Sequence, residues 1–222
     1  MQGVFREELK NRFLCSVEVD GALVLCYIPS SCRLSNFVDL VGKKVLLTPV
    51  LSSKSRTKYS VYALCVGKRF ILLNLSKAND VIRSYIDNRR FSMLGKRTSI
   101  RREYNVGGYK ADLFIEDTKT VIEIKSILSF SKNHKATFPS IYSQRAIEQL
   151  TKIKTILERG YRVCYIFVSL NPAIKILDIN DTYLEYRSLF EECLKKGMVV
   201  KGVSINLVNG HPKIYSSISI NM

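Results

Sequence analysis

Apolar and polar positions alternate with a period of two along the first third of the chain. Arg12–Val19 and Ala22–Ile28 alternate or run apolar on either side of Asp20-Gly21, a dipeptide that favours a two-residue hairpin. Further strand patterns occupy Lys44–Leu51, Lys58–Val66 and Arg69–Leu75, punctuated by Gly42, Pro49 and Gly67. At Ser76 the period changes. Ser76 is suited to cap a helix running through Arg90, with Ala78, Val81, Ile82, Tyr85 and Ile86 on one stripe. A strand at Ile100–Val106 leads through Gly107-Gly108 into two more, Lys110–Glu116 and Thr120–Ser126, joined by Asp117-Thr118-Lys119. A polar segment, Ser129–Thr137, reads as mobile and closes at Phe138-Pro139. A helix follows from about Tyr142 to Arg159, burying Ala146, Ile147, Leu150, Ile153 and Leu157, and exposing Gln144, Arg145, Glu148 and Gln149 near its start. Tyr161–Leu170 has the apolar run of a strand buried on both faces. Asp181–Lys196 predicts a helix capped by Asp181 and ended by Gly197. Two last strands, Met198–Val208 and Lys213–Ile220, meet through Asn209-Gly210.

These elements predict an α/β (α+β) chain in two parts. Five short strands with little helix suit a small five-stranded barrel of the OB type over residues 1–75, which closes its sheet edges at this length. Residues 76–222 then form a mixed sheet flanked by helices.

Composition adds a partner class. The 222 residues are 46% hydrophobic and 24% charged, with a formal net charge of +16. Residues 1–95 hold 15 Lys+Arg against 7 Asp+Glu, and residues 96–222 hold 20 against 12, so each half carries +8. This balance attracts polyanions, nucleic acid first among them. On the barrel, Arg12, Phe13, Arg33, Arg56, Lys58, Tyr59 and Tyr62 are candidates for a face that binds single strands, although the three aromatics suit a core equally well. Arg89, Arg90, Lys96, Arg97, Arg101 and Arg102 form a second basic run that could hold a phosphate backbone. Six cysteines without a CxxC, and only His134 and His211, give little support to zinc. The start MQGVFREELKNRF lacks an apolar core and no segment has the length of a membrane span, so a soluble, cytoplasmic chain is expected, with no membrane partner.

The hairpin ADLFIEDTKTVIEIKS, Ala111–Ser126, carries the chemistry. Alternation puts Glu123 and Lys125 on one face and Ile122 and Ile124 on the other. Asp112 shares a face with Phe114 and Glu116, while Ala111, Leu113 and Ile115 point away. The short loop brings Asp112 across from the Glu123–Lys125 end, give or take a residue of register. Two carboxylates suit a hard cation such as Mg²⁺ or Mn²⁺, and an ammonium beside them can orient water or steady a phosphate. An exposed charge pair on an ordinary strand is the plain alternative. The context favours chemistry: from Ser76 the order is helix, three strands, helix, strand, the αβββαβ order of PD-(D/E)XK nucleases, with the trio on the second and third strands.

The chain also resembles the sugar fermentation stimulation protein (SfsA) family nearly end to end. The similar phrases are SVEVDG at Ser16–Gly21, RREYNVGGYKADLFIED at Arg101–Asp117, VIEIKS at Val121–Ser126, FPSIYSQRAIEQL at Phe138–Leu150 and YRVCYIFV at Tyr161–Val168. The resemblance implies an OB-like barrel joined to a nuclease-like domain, with non-specific DNA binding. Asp112, Glu123 and Lys125 match the nuclease motif, Glu103 its upstream acid, and Arg145 the arginine that opens the second helix. Three departures stand out. The family's proline-asparagine-threonine-glycine turn is Pro29-Ser30-Ser31-Cys32, its acid before Arg145 is Gln144, and its histidine four residues after Arg145 is Gln149. The implied function is a metal-dependent nuclease. Asp112, Glu123 and the Ile124 backbone carbonyl would bind the metal, Lys125 would orient water, Glu103 would assist, and Arg145 would hold a phosphate. The alternative is a DNA-binding or regulatory module that no longer turns over. DNA is the expected substrate, RNA and a homodimer being left open.

Overall fold

Asp20 and Gly21 both take positive φ, 50° and 80°, the backbone that a twisted two-residue hairpin requires. The strands they join are β2 (Leu14–Val19) and β3 (Ala22–Tyr27), which follow β1 (Gln2–Glu8) and precede β4 (Lys44–Pro49), β5 (Tyr59–Val66) and β6 (Arg69–Leu72). This computed structural model describes every residue except Ser30, Ser31, Cys32, Phe37, Ser53, Ser76, Arg89 and Lys132. The expected helix cap at Ser76, three positions of the Pro29–Cys32 turn and Arg89 of the basic run therefore lie outside the described residues.

The first sheet has the order β3-β2-β1-β4-β5-β6, and a short β3–β5 pairing at Cys26↔Tyr59 and Tyr27↔Ser60 closes it. The closed ring is thus β1-β2-β3-β5-β4, five strands as expected for an OB-like barrel, but not the same five. The pattern of hydrophobic residues gave no strand at Gln2–Glu8. Its inward positions are Gly3 and Phe5, and Gly3 supplies no apolar signal because a Cβ there would meet Val17 Cγ1 at 2.5 Å. Phe5, Cys15, Val17, Cys26, Val45, Leu47 and Val61 fill the interior. Strand β6 stands outside the ring, paired only with β5.

The remainder of the chain runs α1 (Lys77–Asp87), β7 (Ile100–Val106), β8 (Tyr109–Ile115), β9 (Thr120–Ile127), β10 (Lys135–Phe138), α2 (Gln144–Glu158), β11 (Arg162–Ser169), β12 (Ile176–Ile179), α3 (Leu184–Lys195), β13 (Val199–Val208), β14 (His211–Ser217) and β15 (Ser219–Asn221). The central sheet has the order β14-β13-β11-β9-β8-β7, with β9, β11 and β13 mutually parallel. The expected αβββαβ core is present. Strand β11 is apolar on both faces because both are covered: Cys164, Ile166 and Val168 meet α1, while Val163, Tyr165 and Phe167 meet α2 and α3.

Three expectations are corrected. The end of the segment Ser129–Thr137, expected to be mobile, belongs instead to a strand, Lys135–Phe138, in a separate parallel sheet β10-β12-β15. Its partner, Ile176–Ile179, is distant in sequence, so neither half shows the pairing alone. The last predicted strand is two: Ile218 N–H donates to the Gly202 carbonyl at 2.9 Å, and the chain then crosses from β13 to β12. Asp181 does not cap α3, which starts at Leu184 with Tyr183 at its N-cap position and no side-chain cap. Gly197 does end that helix, at φ 93°. Among the described residues no helix is long and apolar enough to cross a membrane.

The barrel and the central sheet share a core. Ala63 and Leu72 of the barrel sheet join Val81, Ile82, Ile124 and Val203 in one apolar layer, with Tyr62 and Phe70 packed against it. The Leu72 N–H donates to the Leu170 carbonyl at 3.1 Å. Tyr62 therefore belongs to the seam and not to a ligand face of the barrel. A shared layer predicts that the chain melts in one cooperative transition. Leu72→Ala should cost about 3 kcal/mol, a fall of roughly 6–12 °C, with barrel and helix signals moving together. Two separated transitions in calorimetry would show the two parts to be independent.

Candidate active site

Strands β8 and β9 pair from Ile115↔Thr120 to Leu113↔Ile122 and then part. At the opening, Asp112 takes the place of a backbone acceptor: its Oδ2 accepts the Ile124 N–H at 2.7 Å, and its Oδ1 accepts from Asn79 Nδ2 of α1 at 3.3 Å. The outer neighbour is irregular at the same level. Pairing of β7 with β8 skips Glu103 and Asp112, and Glu103 has φ 51°, a strained value for a residue with a side chain. Irregularities of this kind turn side chains out of strict alternation. Tyr109 and Ala111 accordingly share their core with Phe114, while Leu113 and Ile115 face α1. The expectation that Ala111 points with Leu113 and Ile115 is thus corrected.

Glu123 and Lys125 share a face of β9, as alternation requires, with Ile122 and Ile124 on the other. Glu123 is buried, 3% exposed. Its Oε1 accepts from Lys125 Nζ at 2.5 Å and from Gln149 Nε2 at 3.4 Å, and its Oε2 accepts from the Tyr109 hydroxyl. Lys125 Nζ also donates to Gln149 Oε1 at 2.6 Å. Helix α2 sets Gln149 there. Ser143 Oγ caps it through the Ala146 N–H at 3.2 Å, and Ala146, Ile147, Leu150 and Ile153 press one stripe onto the sheet. Gln149 borders that stripe, half-buried, so its expected place on an exposed end is corrected, whereas Gln144, Arg145 and Glu148 are exposed.

Burial and the charge of Glu123 push the Asp112 carboxyl up to about 6, against the opposing pull of the Ile124 N–H and Lys125. Burial, followed by the charge of Glu123, pushes the Tyr109 hydroxyl far up, so it stays a proton donor. The site therefore carries more negative charge than Lys125 offsets, and its donors are hard oxygens, which fits Mg²⁺ or Mn²⁺. Two side chains and the Ile124 carbonyl would make up that set. Among the described residues no three Asp, Glu, His or Cys side chains converge as ligands. Glu103 is exposed and paired with Lys110, although its charge still raises Asp112.

The basic candidates divide. Arg101 pairs with Glu116 at 2.5 Å and lies over Tyr104, and Arg102 pairs with Asp80 at 2.8 Å. On the barrel, Arg12 lies over Phe13, which stacks on Tyr27, and Arg33 donates to the Lys10 carbonyl at 2.9 Å. Arg56 and Lys58 are exposed in the β4–β5 loop. Tyr59 packs on the barrel core. Sequence reasoning missed Tyr109 and Asn79 and gave Gln149 no role. Spacing could have found Gln149, which lies one helical turn after Arg145.

Asp112 should make stability depend on pH. Its carboxyl is held at about 6 in the fold against an ordinary 3.8, so the fold is favoured while it is protonated. That stabilisation is full below pH about 4 and is lost as pH rises through about 6, a change of roughly 1–3 kcal/mol. Asp112→Asn should consequently raise the melting temperature at pH 8 in chelator and barely change it at pH 4. Equal shifts at both pH values would show that the carboxylate carries no excess charge cost.

Similarity to known proteins agrees with this fold. The family model described as SfsA N-terminal OB domain matches residues 9–73, and the one described as sugar fermentation stimulation protein RE domain matches residues 76–210. A sugar fermentation stimulation protein homolog of Ruminiclostridium cellulolyticum is 20% identical over 224 residues, covering 100% of this chain and 97% of that protein. Another, from Caldanaerobacter subterraneus, is 26% identical over 203 residues, covering 90% and 87%. The structure of Pyrococcus furiosus SfsA in complex with Ca²⁺ superposes with a TM-score of 0.83 at 17% identity, covering 100% of this chain and 95% of that one. With two family models in tandem on an OB-like barrel and its attached mixed sheet, the chain belongs to the sugar fermentation stimulation protein (SfsA) family.

Proposed function

We propose that the protein is a cytoplasmic, metal-dependent nucleic-acid phosphodiesterase with largely sequence-non-specific DNA binding. One observation carries this reading: Asp112 accepts the Ile124 N–H where two strands part, and on either side of Ile124 the buried Glu123 pairs with Lys125. A relative, the Pyrococcus furiosus protein, has been solved with Ca²⁺, and an oxygen site that takes Ca²⁺ is chemically close to one for Mg²⁺ or Mn²⁺.

Asp112, Glu123 and the Ile124 carbonyl would hold the cation. Once bound, it would supply charge compensation at the scissile phosphate and acidify a nearby water. Lys125 then orients the attacking water and steadies the phosphate, its Nζ held by Gln149. The Tyr109 hydroxyl fixes Glu123 so that the carboxylate needs little reorganisation. Glu103 would assist from the strand edge, and exposed Arg145 would hold a flanking phosphate. Arg12, Arg33, Arg56 and Lys58 on the barrel, with Arg101 and Arg102, would hold the polymer, while Tyr59 packs on the barrel core.

A second reading has one observation behind it. Lys125, Glu123, Gln149 and Tyr109 already form a closed hydrogen-bond network, and the family's histidine is replaced by Gln149. A DNA-binding module that no longer turns over would retain such a network.

The deciding experiment adds Mg²⁺ or Mn²⁺ to protein and DNA or RNA, with EDTA as control. Cleavage should depend on metal, and Glu123→Gln should lower it at least about 100-fold, near 3 kcal/mol of transition-state stabilisation, without unfolding the protein. Lys125→Met should keep metal binding and lose turnover. Undiminished cleavage by folded Glu123→Gln would place the active site elsewhere; no cleavage by wild type would favour the binding module. Under either reading, DNA affinity should fall steeply with salt, because phosphate contacts release counterions. A log–log slope near zero in filter binding would remove nucleic acid as the partner.

A further inference from the structure

A cavity of about 510 Å³ lies at the seam between the barrel and the C-terminal sheet, and it shares no residue with the carboxylate site. The β5–β6 hairpin forms one wall, lined by Leu64, Cys65 and Ile71. Phe130, which follows β9, and Ala173 form the other. The His134 ring ties that second wall together, its Nδ1 meeting the Ala173 carbonyl oxygen at 2.8 Å. Among the described residues three cations line the same cavity: Lys43, Lys68 and Arg69. All three are exposed, and among the described residues none of them has an ion-pair partner. No Asp or Glu is among the described residues that line it.

The chemistry is narrower than that of the basic surface in general. A nucleic-acid backbone is polar and convex, and it would leave the apolar walls unfilled. Concave apolar sites of a few hundred Å³ with a few convergent polar groups fit small organic ligands, and they are frequent between domains. Unpaired cations beside a desolvated apolar wall attract an anion more strongly than they would on an open surface. We propose that this seam cavity binds a small amphipathic organic anion: an apolar ring or chain carrying one phosphate, sulfonate or carboxylate. The apolar body packs between Leu64, Ile71 and Phe130, and the anionic group meets Lys68, Arg69 and Lys43. The proposal does not depend on nuclease activity.

The test uses the full chain and 1-anilinonaphthalene-8-sulfonate as the probe, with uncharged N-phenyl-1-naphthylamine as its comparator. The sulfonate should bind at one equivalent. Joint replacement Lys68→Glu and Arg69→Glu should weaken it at least tenfold while changing the uncharged probe less than twofold. Ala173→Phe, which fills the cavity, should remove both. Cys65 lines the cavity, so its alkylation by N-ethylmaleimide in wild-type protein, followed by peptide mass spectrometry, should slow at least fivefold at saturating sulfonate. This last measurement needs no variant to fold. Phenyl phosphate should displace the probe, and a dT oligonucleotide should not. Unprotected Cys65, indifference to the charge reversals, or displacement by the oligonucleotide alone would overturn the proposal, the last by making this rim part of a nucleic-acid face.

Discussion

The bond from the Ile124 N–H to the Asp112 carboxylate is the constraint on which the site depends. It ends the β8–β9 ladder without leaving a buried donor orphaned, which would cost on the order of 1–3 kcal/mol. By ending it there, the bond brings one carboxylate into the gap beside another. The cost is electrostatic: Asp112 is held up near pH 6 by burial and by Glu123. The surrounding groups are arranged to limit that cost. Lys125 lies on Glu123, Gln149 bridges the two, and the Tyr109 hydroxyl satisfies the remaining Glu123 oxygen.

That arrangement needs a rigid frame on both faces of the sheet. On one side, α2 docks through Ala146, Ile147, Leu150 and Ile153 and so fixes the height of Gln149. On the other, α1 docks through Ala78, Val81 and Ile82 and supplies Asn79 to Asp112. The barrel extends this second side through Ala63 and Leu72. The cation-lined cavity also lies between the two parts of the chain, but its walls include Leu64, Ile71 and Phe130 and none of the residues of that layer.

The basic residues do not form a single uniform face. Arg101 and Arg102 are locally neutralised by Glu116 and Asp80. Arg12, Arg56 and Lys58 remain exposed on the barrel and Arg145 at the start of α2. A net charge of +16 is thus expressed through selected positions and not through every run of Lys and Arg in the sequence. Ion pairs this exposed contribute little to stability, which leaves their cations able to exchange partners.

The sequence by itself determined the elements whose signal is local. Period-two runs placed β2 to β5, the Asp20-Gly21 turn set one hairpin, and period 3.6 placed the buried stripe of α1 and that of α2 as far as Ile153, beyond which Ile156 and not the expected Leu157 is buried. It also determined that Glu123 and Lys125 share a face, because adjacent odd positions on a strand must. What it could not contain were relations between distant segments. The strand Gln2–Glu8 between β2 and β4, the β10–β12 pairing and the division of the last strand at Ile218 each depend on hydrogen bonds from a remote partner. The face of Ala111 was misread for the same reason: alternation assumes an unbroken ladder, and the ladder breaks where Asp112 replaces a backbone acceptor. Tertiary packing alone decided that Tyr109, Asn79 and Gln149 would meet these carboxylates, since a buried charge takes whichever donors the fold brings within reach.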